Sequence, residues 1–185
     1  TIIAIGVGLS AGTNTLIGNN IGSKNIRRAS LFVAQSIIYA VVLSILVTLF
    51  GLNVSDFLLS LMGADQEGII LSRKYLDIIF YGTIIVLIQI SLNGTLNAQG
   101  DTKSYRNVLI FSFFLNIFLN PLFIFGYGFI PAFGISGLAI ATVISQFVGL
   151  LYLAHKVYSC ELKKYLRPQC FIPKYDLLKE LLYQS

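Results

Sequence analysis

NVLIFSFFLNIFLNPLFIFGYGFIPAFGISGLAIATVISQFVGLLYLAH, from Asn107 to His155, contains no Asp, Glu, Lys or Arg. An α-helix crosses a bilayer core of about 30 Å with about 20 apolar residues. The stretch is long enough for two crossings. Gly126, Gly128, Pro131 and Gly134 lie near its middle and supply the turn, because Gly and Pro interrupt helices. It therefore reads as two spans, 107–130 and 134–157. Barrel strands would alternate apolar and polar residues over about ten positions, and these runs do not.

Three more apolar stretches precede it, at about 1–21, 31–52 and 75–98. The predicted fold class is all-α: a polytopic transmembrane helix bundle of five spans. Composition agrees. Hydrophobic residues make up 56% of the chain and charged residues 11%, against about 25% charged in soluble domains. A water-facing surface needs more charge than this, whereas a lipid-facing one does not.

The net charge is +5, and its placement is more telling than its size. Eleven of the 13 Lys and Arg residues lie in 22–30, 99–106 and the segment after 155. Under the positive-inside rule these segments face the cytoplasm. Arg73 and Lys74 stand among Asp56, Asp65, Glu67 and Asp77, so that loop faces outward. The basic stretches form no continuous face with interleaved aromatics, which argues against a nucleic-acid partner. Segment 53–74 reads as a short helix at the outer surface. Residues 158–185 read as a cytoplasmic amphipathic linker, with a helix after Pro173 lying along the interface. Cys160 and Cys170 fit no zinc-ligand spacing and are expected to be reduced thiols. No metal and no cofactor is expected. The chain starts at Thr1, already inside an apolar stretch, and is expected to belong to a longer natural protein.

Within the spans, small residues recur four apart: Ala4, Gly8 and Gly12, then Gly137, Ala141, Ser145 and Gly149. That spacing suits close helix packing in lipid. Amides recur as well. Gln89, Asn93 and Asn97 are each four apart, as are Asn116 and Asn120, and Thr142 and Gln146. Members of such a series turn only about 40° from one to the next on a helix of 3.6 residues per turn, so each series marks one face. Polar groups in hydrocarbon cost free energy unless paired. These faces either bond between helices, at about 0.6 kcal/mol each, or line a wet path. Pro121 follows Asn120 and removes a helix hydrogen bond, which makes it a candidate hinge. His155 reads as interfacial.

Four stretches in order resemble the multidrug and toxic compound extrusion (MATE) family: GVGLSAGTNTLIGNNIGSKN from Gly6, NGTLNAQGDTKS from Asn93, LNIFLNPLFIFG from Leu115 and GISGLAIATVISQ from Gly134. The resemblance implies helices two to six of the first lobe of a twelve-helix, two-lobed transporter. The first helix and the second lobe of the same protein would then be its partners. It also implies a multi-pass protein of the cell membrane, a bacterial inner membrane being the expected case. Such proteins export organic, cationic or amphiphilic compounds in exchange for Na⁺ or H⁺ by alternating access. Proton-linked members carry an Asn and, four residues on, an Asp before Pro on the fifth helix, with a Thr on the sixth. These fall on Asn116, Asn120 and Thr142. Here the Asp position is Asn120, which does not titrate at physiological pH, and that departure argues against proton binding at this site.

Asn116, Asn120, Thr142, Gln89, Asn93, Asn97 and Gln146 are thus the expected ion and substrate pathway, with small molecules and membrane lipid as partners. A lipid-linked saccharide flippase of the same superfamily is the nearest alternative. It would be expected to carry cations within the spans to grip a pyrophosphate, and none is present. A membrane enzyme would need clustered acids or a His–acid pair near the interface; the acids here are scattered. A scaffold without transport activity would tolerate Leu at Asn116 and Asn120.

Overall fold

The computed structural model describes residues 2–63, 65–128, 131–160, 168–172 and 175–184. Six helices follow one another among them: α1 (Ile2–Gly22), α2 (Ile26–Leu61), α3 (Gln66–Asn97), α4 (Lys103–Phe125), α5 (Ile135–Tyr158) and α6 (Tyr175–Gln184), with a short 3₁₀ turn at Pro168–Phe171. Helices α2 to α5 are long and apolar enough to cross a membrane. In α1 the side chains are described from Gly6 onward. Its range coincides with the first expected span almost to the residue.

The bundle is apolar outside as well as inside. Phe50 and Phe118 are 70% and 73% exposed, and Leu46, Leu49, Phe113 and Phe114 also face outward. Water would penalise such a surface, whereas lipid accepts it. The chain is a multi-pass membrane protein. Inside, α3 packs on α1, α2 and α5, and α5 packs on α4.

One hydrophobic core joins the end of α1 (Leu16, Ile17), the start of α2 (Ala29, Phe32, Val33) and the ends of α3 (Leu92, Leu96) and α5 (Leu153, Val157). These ends share one side of the bundle, the side that carries the basic loops. The tail docks there too. Leu181 of α6 is fully buried in the same core. The Arg28 guanidinium donates to both carboxylate oxygens of Glu180, at 2.9 and 3.2 Å. The buried Gln35 amide donates to the carbonyls of Cys170 (2.9 Å) and Ile172 (2.8 Å). The helix expected after Pro173 therefore lies against α1 and α2 rather than free along an interface. Lys163, Lys164, Arg167, Pro173 and Lys174 lie outside the described residues.

The opposite side differs from the sequence reading. Segment 53–74 forms no separate surface helix. Instead α2 and α3 extend as one hairpin; 36 residues make α2 about 54 Å long, well beyond a bilayer core. Nothing between Leu52 and Leu61 breaks the helix, and Gly51 is held by packing, since a Cβ there would lie 2.1 Å from the Phe80 ring. The stop comes at Gly63, whose φ of +79° suits glycine. Asp65 then caps α3 by accepting from the Gly68 N–H at 2.9 Å. Arg73 of α3 bonds Asp56 of α2 and approaches Asp77 at 3.9 Å. The α4–α5 turn likewise begins at Gly126, earlier than the expected 130.

On the basic side Asp101 caps α4. Its carboxylate accepts from the Ser104 N–H at 3.0 Å and from the Ser104 hydroxyl at 2.6 Å. The Ser104 hydroxyl bond, helped by the Lys156 charge, holds the Asp101 carboxyl below the usual carboxylate range. Burial and the Asp101 charge push the nearby Cys160 thiol up, so it is a poor nucleophile. Neither cysteine is in a disulfide. Because Asp101 is more acidic when folded, its contribution is full above its unfolded pKa and disappears as pH falls through the lower folded one. Asp101→Ala is expected to cost about 1 kcal/mol of stability at neutral pH. In thermal melts in detergent the gap to wild type should close progressively below about pH 4; a gap independent of pH would contradict this.

Candidate functional site

The sequence places Asn116 and Asn120 on one face of α4 and Thr142 on α5, and the fold brings the three together. The Thr142 hydroxyl donates to the Leu138 carbonyl one turn earlier, at 2.9 Å. Its oxygen accepts from the Asn116 amide at 3.3 Å. The Asn116 carbonyl oxygen in turn accepts from the Asn120 amide at 2.9 Å. The chain has a direction, and Thr142 sets it: a hydroxyl has one proton, and giving it to Leu138 leaves only its lone pairs for Asn116. Both asparagines must then point their N–H groups towards Thr142. The amide orientations follow from this network. The far end of the chain is the Asn120 side-chain oxygen, which is buried and has no partner.

One turn toward the basic side, Ser112 continues the series. Its hydroxyl donates to the Ser145 carbonyl on α5 at 3.2 Å, and Ser145 back-bonds to Ala141 at 2.8 Å. The close contact depends on the small residues of α5. A Cβ on Gly137 would lie 2.4 Å from the Phe123 carbonyl oxygen of α4. A Cβ on Gly149 would lie 2.5 Å from the Gln89 amide nitrogen, 2.6 Å from Val108 and 3.3 Å from the Ser112 hydroxyl. The four small residues Gly137, Ala141, Ser145 and Gly149 are all buried, so this stripe packs helices as its spacing suggests.

The α3 amides divide. Gln89 is 2% exposed, sits against Gly149 and leaves its amide nitrogen unbonded. It belongs to the polar junction of α3, α4 and α5. Asn93 is half-buried with an orphaned oxygen. Asn97 ends α3, and its backbone carbonyl accepts from Gly100 at 2.9 Å. Gln146 is half-buried on α5 and joins no hydrogen bond described here to the Asn116–Thr142 chain. The geometry therefore gathers Asn116, Asn120 and Thr142, sets Gln89 beside Gly149 and Ser112 nearer the basic side, and leaves Asn97 and Gln146 outside both groups. Helix α4 continues through Pro121 to Phe125. The Phe133 and Gly134 N–H groups fold back onto the Phe123 and Ile124 carbonyls.

Sequence reasoning missed Ser112 and Thr13. Ser112 was visible as the position four before Asn116. Thr13 is fully buried with an orphaned hydroxyl. It lies against Gly94, where a Cβ would come within 2.7 Å of the Ser10 carbonyl and 3.0 Å of Thr13. No pattern in the sequence pairs those two positions. Among the described residues no group of acids, histidines and cysteines is placed to hold a metal ion.

The family model described as MatE matches residues 1–122. The chain is similar to the FAD transporter of Shewanella oneidensis, with 32% identity over 80% of this chain and 33% of that protein. It is similar also to the probable multidrug resistance protein NorM of Thermotoga maritima, with 33% identity over 95% of this chain and 38% of that one. Among solved structures it resembles the inward-facing conformation of a multidrug resistance MATE family transporter of the MOP superfamily, with a TM-score of 0.87, 29% identity, and coverage of 99% of this chain and 41% of that one. The chain spans about a third of the length of the curated relatives it matches. It belongs to the MATE family.

Asn116 makes two bonds in the chain and Asn120 one. Only the Asn116–Thr142 bond crosses between helices, at about 0.6 kcal/mol; Asn116→Leu removes it together with the Asn120 bond inside α4, so it is expected to destabilise the bundle more than Asn120→Leu. Denaturant titration in mixed micelles measures both, and a double-mutant cycle measures their coupling. Equal losses with no coupling would contradict the directed chain.

Proposed function

We propose that this MATE-family chain forms the ion-binding wall of a secondary antiporter in the cell membrane. It exports organic, cationic or amphiphilic compounds in exchange for a cation gradient by alternating access. The orphaned Asn120 oxygen carries the reading. The Thr142-directed chain presents an acceptor, not a donor, at its open end. An acceptor oxygen in a low-dielectric site suits a hard cation such as Na⁺ or a substrate N–H. Asn120 has no proton to exchange near neutral pH, so at this position the reading favours Na⁺ over H⁺. Asn116 orients Asn120, and Thr142 orients Asn116. Gln89 and Asn93 add unbonded polar atoms on α3, further along the bundle toward the basic side. Pro121 frees the Ile117 carbonyl beside the asparagines, a second oxygen for the same ion and a point at which α4 can bend. The relatives' names, one a FAD transporter and one a probable multidrug resistance protein, agree with small organic cargo.

The test is accumulation of a fluorescent organic cation in efflux-deficient bacteria expressing the protein from its own gene. Na⁺ and pH gradients are collapsed separately. Expression should lower accumulation, and removing the Na⁺ gradient should restore it. Asn120→Leu should abolish export while leaving membrane expression intact, and Asn120→Asp should retain export and make it depend on pH. Export that persists with both gradients collapsed, or that survives Asn120→Leu, would overturn the assignment.

A further inference from the structure

Between α4 and α5, on the side away from the asparagine chain, runs a groove of about 340 Å³ lined by Asn107, Val108, Phe111, Val148, Gly149 and Tyr152. Its lining follows from the register of the two helices. Ser112 meets Ser145 and Asn116 meets Thr142, so the helices are antiparallel and the residue numbers run in opposite senses. One further turn toward the basic side Val108 meets Gly149, Asn107 and Tyr152 follow in the lining, and Lys103 and Lys156 stand about a turn beyond it on the same two faces. Lys103, Asn107 and Phe111 are spaced four apart on α4, and Val148, Tyr152 and Lys156 four apart on α5, so each trio shares one helix face. The groove thus grades from apolar (Phe111, Val148), through an aromatic and an amide (Tyr152, Asn107), to two cations at its mouth. The Lys156 ammonium stands over the Tyr152 ring at 5.8 Å from its centre, which fixes that charge at the groove. The Asp101 carboxylate also acts on Lys156 and offsets part of that charge, while its oxygens accept from Ser104 at the start of α4.

We infer that this groove binds one anionic phospholipid, with an acyl chain along Phe111 and Val148 and the phosphate between Lys103 and Lys156. The gradient matches a lipid in both order and orientation: hydrocarbon at membrane depth, Tyr at headgroup level, Lys beyond it. A soluble anion would use the lysines and leave the apolar part of the groove empty. An uncharged lipid would use the groove and ignore the lysines. Gly149 and Val108 form the floor, with Gln89 directly behind Gly149. An occupied groove therefore bears on the α3–α4–α5 contact at Gln89, Ser112 and Gly149. The inference rests on the membrane fold and the α4–α5 register, and stands whether or not the protein is an antiporter.

Native mass spectrometry of the purified protein tests it, by titrating phosphatidylglycerol and phosphatidylcholine separately and counting retained lipid. Wild type should hold one phosphatidylglycerol roughly tenfold more tightly than phosphatidylcholine, the scale expected of two cations near a lipid phosphate. K103Q/K156Q should bring the two lipids level, and K103R/K156R should keep the preference. Arg27→Gln, on the same side of the bundle but far from the groove, should also keep it. Val148→Trp, which fills the apolar part, should weaken retention of both lipids. Melting in phosphatidylcholine alone shows whether each variant folds; should the double variant fail, the single K103Q and K156Q variants carry the test. Equal affinity for both lipids in wild type, or a preference that survives loss of both lysines, would overturn the site.

Discussion

The backbone-close contact of α5 with α4 sets the register on which the rest depends. Gly137 comes so near Phe123 that no side chain fits there, and a Cβ on Gly149 would lie 2.6 Å from Val108 and 3.3 Å from the Ser112 hydroxyl. In lipid the hydrophobic effect does not hold helices together, since the tails are as apolar as leucine. Dispersion between close backbones and hydrogen bonds between helices must do so. The α4–α5 seam supplies both, from Gly137–Phe123 through Asn116–Thr142 to Ser112–Ser145. Sliding one helix by a turn would break each of these at once. The polar chain and the lipid groove lie on two sides of this single seam.

The class of the helices and the place of each span along the chain were legible because lipid imposes a simple code. A long run without charge must be a helix, and a Gly–Pro cluster must end it. The code fails where helices leave the bilayer. Segment 53–74 carries ordinary soluble-protein composition, and propensity alone does not say whether such a segment continues a helix or starts a new one. The continuation rests on tertiary contacts, namely Phe80 over Gly51 and Arg73 on Asp56. The docking of α6 was hidden for the same reason. An amphipathic helix looks alike whether its apolar side meets lipid headgroups or the core around Leu16 and Phe32. Only long-range partners such as Gln35 with Cys170 and Arg28 with Glu180 decide.

The candidate site was legible in part. Spacing of four on α4 and the Thr on α5 were enough to name Asn116, Asn120 and Thr142. Periodicity says which residues share a face, but not which face meets which neighbour. Gln89, Asn93 and Asn97 looked equivalent, yet α3 is surrounded by α1, α2 and α5. A drift of about 40° per step along three turns separates the residue against Gly149 from the one at the helix end. Gln146 was paired with Thr142 by the same reasoning. The geometry gives α4 the Thr142 side, and the bonds of that chain run through Thr142 without Gln146.

The presence of an asparagine at the position before Pro121 changes the chemistry more than the shape. An aspartate there would take the same rotamer and could accept from Asn116 only if Asn116 reversed its amide, since a carboxylate has no N–H to give. That reversal would set the Asn116 N–H against the carboxylate and take it from Thr142, so the chain would run the other way. With Asn120 the chain is neutral, is anchored at the Leu138 carbonyl and ends in an oxygen. With aspartate it would carry a charge that needs a proton or a cation to be tolerated in the bundle. The two residues thus build two switches on one scaffold. In the charged form, occupancy by a proton or metal ion decides whether the site is stable at all. In the neutral form found here the site is stable when empty, and a cation changes the energy only by what the Asn120 oxygen and its neighbours give it. On the proposed reading, coupling through this wall is weaker per ion, or is completed by oxygens facing Asn120 from beyond α4 and α5.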